Sequence, residues 1–266
     1  MLPRANDHEA RRLLQVGAAQ GRAQDLTDLG LIHMHGHGVP QDFIEARRLL
    51  YLAAEQGTAE AQSALGDLCL NGYGGPKDFV ETRRLYGLAA AQGRVDAQAN
   101  LGFMHSNNTC GSKDIAEARR LLGLASAQGH CEAQADLGRM HFNGTGGPVD
   151  YVEARRLYGL AAVQGHCEAQ TDLGRMYGNG KGGPVDFDEC KRLYGIAAAA
   201  GGTDAQAELC LMHLNGTGGP QNLPEARRLY GLAAAAGHAE AQANLGLMHL
   251  DGQGGPINYA EARRLL

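Results

Sequence analysis

A single phrase, Glu-Ala-Arg-Arg-Leu followed by Leu or Tyr, recurs with minor changes every 36 residues, without insertion or deletion. A fixed period of about 20 to 50 residues is typical of one supersecondary unit stacked on itself. Stacked units present an extended surface rather than a closed pocket, so the period favours binding over catalysis. The phrase begins at Glu9, Glu45, Glu81, Glu117, Glu153, Glu189, Glu225 and Glu261.

Length and charge limit the classes of protein that fit. The unbroken period predicts that residues 1–266 form one repeat array rather than two ordinary domains. A net charge of −5 gives no support for nucleic-acid binding or for a basic membrane-binding patch. The start of the chain has no apolar segment, and no stretch approaches 18 apolar residues. We therefore expect no signal peptide, no membrane insertion and a cytoplasmic location. The chain stops at Leu266, early in an eighth repeat, so we expect a fragment of a longer array or an incomplete gene product.

One repeat, taken from Asp42 to Gly72, predicts two helices joined by a short turn. Asp42 and Glu45 form a capping-box pattern, in which Asp42 accepts from the Glu45 amide and Glu45 reaches back. Apolar residues then recur at helical spacing, and Gly57 follows where a left-handed helix end favours glycine. Thr58 restarts a helix as its cap, and Gly72 ends that helix before a glycine-rich loop. The repeat is therefore a pair of antiparallel helices closed by a loop.

Four motifs resemble the Sel-1-like repeat family, a relative of the tetratricopeptide repeats. They are Ala-Ala-x-Gln-Gly (89–93), Ala-Gln-x-x-Leu-Gly-x-Met-His/Tyr (169–177), Gly-x-Gly-Gly-Pro-x-Asp (144–150) and Glu-Ala-x-x-Leu-Tyr. The resemblance covers essentially the whole chain. It implies an all-α fold, a right-handed α/α superhelical solenoid of about seven helix hairpins. It also implies that the first helices line a concave face and that the protein acts as an adaptor in protein assemblies.

Six cysteines do not follow the pattern of a disulfide framework. Equivalent atoms in stacked helical repeats lie about 8–10 Å apart. That separation exceeds the roughly 4.4–6.8 Å between the Cα atoms of a disulfide. We expect free thiols, which suit a reducing compartment. The cysteine-rich bacterial relatives, with proposed β-lactam binding, carry a fixed cysteine pair in each repeat, and that pair is missing here. Cys131 and Cys167 share one repeat position, and the other cysteines occupy four different ones: Cys69, Cys110, Cys190 and Cys210.

Paired basic residues form two columns on the predicted first helices. One interpretation is an anion-binding stripe for an acidic or phosphorylated peptide, since guanidinium forks suit carboxylate and phosphate. The other, which we favour, pairs the arginines with the repeat-start glutamates and with the loop aspartates Asp78, Asp114, Asp150 and Asp186, by a few tenths of a kcal/mol per pair. The first column comprises Arg11, Arg47, Arg83, Arg119, Arg155, Lys191, Arg227 and Arg263, and the second comprises Arg12, Arg48, Arg84, Arg120, Arg156, Arg192, Arg228 and Arg264.

A tyrosine column and two glycine columns also follow the period. Tyrosine interchanges with leucine in its column, which favours a buried contact between repeats over the lining of a groove. Mid-helix glycine disfavours helix. In the first helices, either neighbouring helices pack tightly against the glycines or a groove floor is left bare for a bound chain; we favour tight packing. In the second helices, glycine costs about 1 kcal/mol relative to alanine, and packing against a first helix is the expected compensation. The columns are Tyr86, Tyr158, Tyr194 and Tyr230; Gly87, Gly123, Gly159, Gly195 and Gly231; and Gly66, Gly102, Gly138, Gly174 and Gly246.

Histidines and loops give little support for catalysis or metal binding. His105, His141, His213 and His249 share one repeat position, too far apart for one ion, so we expect packing roles. The trio His33, His35 and His37 lacks a nearby acid or thiol, and the Gly-x-Gly-Gly-Pro loops follow helices rather than strands. No nucleophile elbow, Walker loop or His-Glu-x-x-His is present. In the fourth repeat, Asn108, Cys110 and Ser112 replace the usual loop residues, which predicts an irregularity at 106–113.

These observations favour a scaffold without catalysis, cofactor or metal, which binds a protein or peptide partner on its concave face. Three alternatives stay open: a secreted or host-interaction effector of the same fold, a β-lactam-handling enzyme like the cysteine-rich relatives, and a structural spacer within a larger protein. The candidate contact residues are Arg83, Arg84, Tyr86, Arg119, Arg120, Arg155, Arg156, Tyr158, Arg192, Tyr194, Arg227, Arg228 and Tyr230.

Overall fold

A computed structural model describes the backbone of residues 5–107, 109 and 113–266, with side chains except at 5–8 and 10. Over these residues the chain forms fifteen helices and no strand, which confirms the all-α prediction. The helices are α1 Ala5–Ala19, α2 Ala23–His35, α3 Phe43–Glu55, α4 Ala59–Asn71, α5 Phe79–Ala91, α6 Val95–Asn107, α7 Ile115–Ala127, α8 Cys131–Asn143, α9 Tyr151–Val163, α10 Cys167–Asn179, α11 Phe187–Ala199, α12 Thr203–Asn215, α13 Leu223–Ala235, α14 Ala239–Asp251 and α15 Tyr259–Leu265.

From α3 onward, the first helix of each hairpin begins at an aspartate or asparagine cap. The Asp42 carboxylate accepts from the amides of Ile44 and Glu45, each at 3.0 Å, as the capping pattern predicts. The reciprocal half of the predicted capping box is wrong, because the Asp42 amide donates to the His33 carbonyl instead. The Glu45 carboxylate is therefore available to Arg48. The loop aspartates also cap helices: Asp78, Asp114, Asp150 and Asp186 each accept from the amide three residues on.

The turn between the two helices of a hairpin follows the predicted glycine signal. Gly57 has a φ of 88°, a left-handed conformation that glycine adopts without strain. Thr58 occupies the cap position of α4, but its side chain makes no capping hydrogen bond, so that detail of the prediction is wrong. Histidine does cap at the same position in three later repeats, the first being His130, whose Nδ1 accepts from the Ala133 amide at 3.2 Å. The Nδ1 atoms of His166 and His238 accept from the amides of Ala169 and Ala241, each at 3.1 Å.

The hairpin of α3 and α4 is closed by its glycine-rich loop. Gly72 ends α4 in a left-handed conformation, and the Asp78 amide donates to the Cys69 carbonyl at 3.0 Å. Gly74 lies so close to the Phe43 carbonyl, at the start of α3, that an added Cβ would overlap it. Main chain therefore contacts main chain where the loop meets the first helix of its own hairpin. A side chain at this position has no room.

Successive hairpins pack through the second helix of one repeat and the first helix of the next. A Cβ at Gly66 on α4 would lie 2.6 Å from Cε1 of Tyr86 on α5. Gly174 meets Tyr194 in the same way at 2.8 Å, and Gly102 meets Leu122 at 2.9 Å. This confirms the packing predicted for the second-helix glycines and shows that the first helix involved belongs to the following repeat.

Buried glutamines make a second contact between repeats, which we call a glutamine rung. Gln92 Nε2 donates to Gln62 Oε1 at 2.9 Å, while Gln62 Nε2 donates to the Ala54 carbonyl. The same rung joins Gln128 to Gln98 at 2.8 Å and Gln164 to Gln134 at 2.7 Å. The side-chain oxygen of each of these buried glutamines therefore accepts a hydrogen bond from a glutamine 30 residues later.

The chain divides into two compact units, residues 1–133 and 134–266. The core of the first unit contains Leu49, Leu50 and Leu85 from first helices together with Leu65 and Leu68 from α4. The core of the second unit is built in the same manner, from Tyr194, Leu229, Tyr230, Leu245 and Met248 among others. A single array over the whole chain stays a prediction. In the predicted irregular loop, Asn108, Cys110 and Ser112 lie outside the described residues.

Candidate partner-binding surface

The second arginine column forms local ion pairs on the first helices. Arg84 donates through Nε and Nη2 to both carboxylate oxygens of Glu81, each at 2.8 Å. These side chains are 49% and 30% exposed. The Arg84 hydrogen bond holds the pKa of Glu81 below its ordinary value. The predicted pairing of arginine with the repeat-start glutamate is confirmed. It recurs as Arg48–Glu45, Arg120–Glu117, Arg156–Glu153, Arg192–Glu189, Arg228–Glu225 and Arg264–Glu261.

The first arginine column is half-buried at several positions and holds the closing loops. Arg47 donates to the Pro76 carbonyl at 3.4 Å, and Arg227 donates to the Pro256 carbonyl at 3.0 Å. Arg155 donates to the Pro184 carbonyl, and its guanidinium carbon lies 3.7 Å from the ring centroid of Tyr177. Arg83 and Arg119 are engaged as well. Arg47, Arg155 and Arg227 thus stabilise loops, whereas the arginines of the second column from Arg48 onward are exposed.

The tyrosine column is buried between repeats. Tyr86, Tyr158, Tyr194 and Tyr230 are at most 3% exposed. The Tyr86 hydroxyl donates to Asp67 Oδ1 at 2.5 Å, and burial together with Asp67 raises the tyrosine pKa. Burial confirms the predicted contact between repeats. It also removes these four rings from the surface that a partner would meet, so the groove-lining alternative is wrong in this structure.

The first-helix glycines face open space, contrary to our prediction of tight packing. A Cβ added at Gly87 would meet no other atom within 4 Å, leaving out its own helix backbone. The same holds at Gly123, Gly159, Gly195 and Gly231. The reason lies in the helix period, since neighbouring helices pack on the opposite face of α5, where Leu85 and Ala89 are buried. The glycines therefore leave bare backbone on the side of each first helix that neighbouring helices do not cover.

An exposed aliphatic residue follows each of these glycines. Leu88 is 41% exposed, as are Leu124 and Leu160. Arg84, Gly87 and Leu88 lie three and four residues apart and so share one helix face. We call the paired glycines and aliphatic residues the open strip. In the first unit it comprises Gly87, Leu88, Gly123 and Leu124, and in the second unit Gly159, Leu160, Gly195, Ile196, Gly231 and Leu232. The open strip is apolar, and its glycines leave the helix backbone uncovered. The Arg–Glu ion pairs of the second arginine column flank it.

The histidines and cysteines of the described residues make contacts of other kinds. No cluster of three or more His, Cys, Asp or Glu with metal-binding geometry occurs there. His249 Nδ1 bonds to Arg227 at 2.5 Å, and the rings of His35 and His37 stack with centroids 5.4 Å apart. In the described part of the chain the cysteines are free thiols: Cys69, Cys131, Cys167, Cys190 and Cys210. Among the same residues, no helix combines the length and apolar character needed to cross a membrane.

Comparison with known proteins identifies the repeat. The Sel1 repeat family matches residues 1–21, 24–58, 59–93, 95–130, 131–166, 167–202, 203–238 and 239–266. No curated protein sequence matches the chain.

Two solved structures are similar over nearly the whole chain. One is a protective antigen present in uropathogenic Escherichia coli strains, with a TM-score of 0.88 and 31% identity over 96% of this chain and 55% of that protein. The other is a Sel1 repeat protein from Oxalobacter formigenes, with a TM-score of 0.77 and 31% identity over 97% of this chain and 75% of that one. The chain thus spans about half the length of the first of these relatives. The hairpins, their glycine contacts and this match together show that the chain belongs to the Sel1 repeat family.

Proposed function

We propose that this protein is a non-catalytic scaffold that binds a protein or peptide partner along the open strip of each unit. Sel1 and related repeats are generally protein-interaction scaffolds. The observation that carries the proposal is the open space above the first-helix glycines. The partner lies on the first helices, the surface that the family resemblance assigns to the concave face.

The glycines carry a cost that folding does not explain. Glycine in a helix destabilises it by roughly 0.5–1 kcal/mol relative to alanine. At the second-helix positions this cost is offset, because Gly66 admits the ring of Tyr86. At Gly87 and Gly123 no neighbour uses the space. A bound chain that approaches the helix backbone closely would use it, and the exposed Leu88 and Leu124 would then be covered.

The second arginine column adds a polar edge to this surface. Its guanidinium groups are exposed, but each already has a glutamate partner that neutralises its charge. An acidic or phosphorylated partner must therefore compete with Glu81 or Glu153 for the fork. We include such contacts by Arg84, Arg120, Arg156, Arg192 and Arg228 in the proposal. We place the apolar contact of the open strip first, because, beyond the backbone of its own helix, no described residue lies within 4 Å of a Cβ built at its glycines.

The test begins with peptides selected by display on the wild-type protein, whose affinity is then measured by fluorescence anisotropy. A Cβ at the open glycines meets no neighbour, so leucine there covers the strip and improves helix propensity. The variant Gly87→Leu/Gly123→Leu/Gly159→Leu should bind selected peptides at least tenfold more weakly while its thermal stability stays equal or rises. A loss of binding with retained stability separates blocking from unfolding.

The control is Ala239→Leu, which places a leucine at an exposed position on a second helix. It should leave affinity unchanged. Arg84→Gln/Arg156→Gln/Arg228→Gln reports on the polar edge, with a loss confined to peptides that carry acidic or phosphorylated residues. If the triple leucine variant binds every selected peptide as tightly as the wild type, the open strip is not the contact surface.

A further inference from the structure

A pocket of about 240 Å³ lies where α10, α11 and α12 meet, wholly within the second unit. It is lined by Gly178, which occupies the repeat position of Phe142 in the preceding repeat and of Leu214 in the following one. We call it the Gly178 pocket. Leu214 packs against the core of the second unit, so a large apolar side chain at this position belongs to the packing of the repeat. Gly178 lacks that side chain.

The preceding repeat shows which groups fill the equivalent space. The rings of Phe142 and Tyr151 pack edge to face, with centroids 5.3 Å apart and planes at 65°. Lys181 Nζ lies 4.3 Å from the centroid of the Phe142 ring. The equivalent residues 36 positions later all line the pocket: Gly178, Phe187 and Thr217. Two large side chains are therefore replaced by small ones, and the Phe187 ring is left 42% exposed.

The walls of the pocket favour an aromatic ring. Phe187 can make the edge-to-face contact that Tyr151 makes with Phe142. The sulfur atoms of Cys190 and Met212 lie 3.8 Å apart in buried side chains of the lining, and a thioether packs favourably against an aromatic ring. An apolar cavity of about 150 Å³ is enough to hold benzene, so the pocket has sufficient volume for a phenyl ring.

The charged residues of the lining, Arg175 and Glu208, are paired with each other. Arg175 donates through Nε and Nη2 to Glu208 Oε1 at 3.1 and 3.0 Å, and through Nη1 to Asp172 at 2.9 Å. A charged ligand would have to compete with this pair, whereas a phenyl ring leaves it intact. The charge of the lining therefore suits an uncharged group. Phe187 and Leu211 are exposed, so the pocket is open to a side chain carried by another protein.

We propose that the Gly178 pocket binds the phenyl ring of a phenylalanine side chain from a protein partner. The ring takes the place that Phe142 holds in the preceding repeat, against Phe187 and the Met212 sulfur. Because the ring belongs to a protein, the inference rests on the proposed scaffold function. The pocket shares no residue with the open strip, so either surface can fail alone.

The probe for this site is Nα-acetyl-phenylalanine methylamide, titrated into the full chain and followed by backbone amide chemical shifts. The amides of Gly178, Cys190 and Met212 should shift in a saturable way. The cyclohexylalanine analogue, which has the same carbon skeleton without aromaticity, should have a dissociation constant at least threefold higher. Equal dissociation constants would mean that the pocket recognises apolar bulk, and the proposal would be wrong. Saturation by toluene but not by the phenylalanine derivative would also overturn it, because the pocket would then admit only free aromatic molecules.

Filling the pocket from within gives the second arm. Gly178→Phe/Cys190→Ala recreates the pair Phe142 and Ala154 of the preceding repeat. The alanine makes room, since a Cβ at Gly178 would lie 3.2 Å from the Cys190 sulfur. The double variant should bind the phenylalanine derivative at least tenfold more weakly. Undiminished binding would overturn the proposal, provided that the melting curve of the variant confirms its fold.

Two controls show whether the effect belongs to this pocket. Cys190→Ala alone leaves Gly178 in place and should bind the phenylalanine derivative within threefold of the wild type. The open-strip variant Gly87→Leu/Gly123→Leu/Gly159→Leu should bind it as the wild type does. Loss of binding in the open-strip variant would place the phenylalanine site on the open strip and overturn this inference without affecting the proposed function.

Discussion

The two glycine columns put the same residue to opposite uses. On the second helices, the missing side chain is replaced by the ring or leucine of the next repeat, as where Gly66 receives Tyr86. On the first helices, the space above Gly87 stays empty, and an exposed leucine stands beside it. A column of glycines in a repeat protein can therefore have either of two structural roles. A filled column fixes the packing of hairpins, whereas an empty column marks a surface with another purpose.

The largest effect is expected where a neighbour fills the space. Gly66→Ala brings a Cβ to 2.6 Å from a ring that is fully buried, so the ring or α5 must move. Overpacking of this kind costs about 1–3 kcal/mol. We expect the free energy of unfolding, measured in urea, to fall by that amount. Gly138→Ala, with its nearest ring atom at 3.0 Å, should cost less. Equal values for the two variants would show that crowding does not set the cost.

Ala200 provides a case in which a lost side chain leaves a buried group unsatisfied. Ala200→Gln should restore a rung to Gln170 and stabilise the protein by about 1 kcal/mol, the typical net value of a hydrogen bond. Ala236→Gln should do the same for Gln206, which is 7% exposed and likewise lacks a partner at Oε1. Thermal and urea unfolding measure both. A destabilised Ala200→Gln variant would show that the rung geometry is not available at this junction.

Where the space above a first-helix glycine is empty, substitution by alanine should stabilise the protein. Gly123→Ala meets no neighbour, and alanine gains roughly 0.5–1 kcal/mol over glycine within a helix. The urea midpoint of Gly123→Ala should rise, whereas that of Gly66→Ala should fall. A fall in stability for Gly123→Ala would mean that the first-helix column is packed after all.

Loss of a surface ion pair should have the smallest effect on stability, because it creates neither a clash nor a cavity. Glu81→Gln should destabilise by a few tenths of a kcal/mol at pH 7, since exposed pairs contribute about 0.2–1 kcal/mol. The pKa of Glu81 is lowered in the folded protein, so its contribution is present above its ordinary value of 4.5. The contribution is lost as the pH falls through the folded pKa. Urea titrations from pH 7 to pH 3 should therefore show the wild type and the variant converging.

Much of the fold could be predicted because each signal is local to one repeat. Asp42 capping α3, Gly57 in a left-handed turn and the burial of Tyr86 all follow from spacing within about one period. The open strip could not be predicted, because a glycine in the sequence does not reveal whether a neighbouring helix faces it. The broken rung at Gln170 had a signal that was overlooked. Gln170 is present, while the glutamine 30 residues later, its partner in other repeats, is replaced by Ala200.

The loop closure of each hairpin has a consequence for how such a surface can change. Gly74 meets the carbonyl of Phe43, and Gly182 meets that of Tyr151, so peptide groups rather than side chains set these contacts. The spacing within a hairpin is thereby independent of the side chains it displays. Exposed positions such as Val80 and Leu88 are free to take on new chemistry without disturbing the geometry that presents them. Recognition and architecture occupy separate sets of atoms, so a new binding specificity can arise without a new fold.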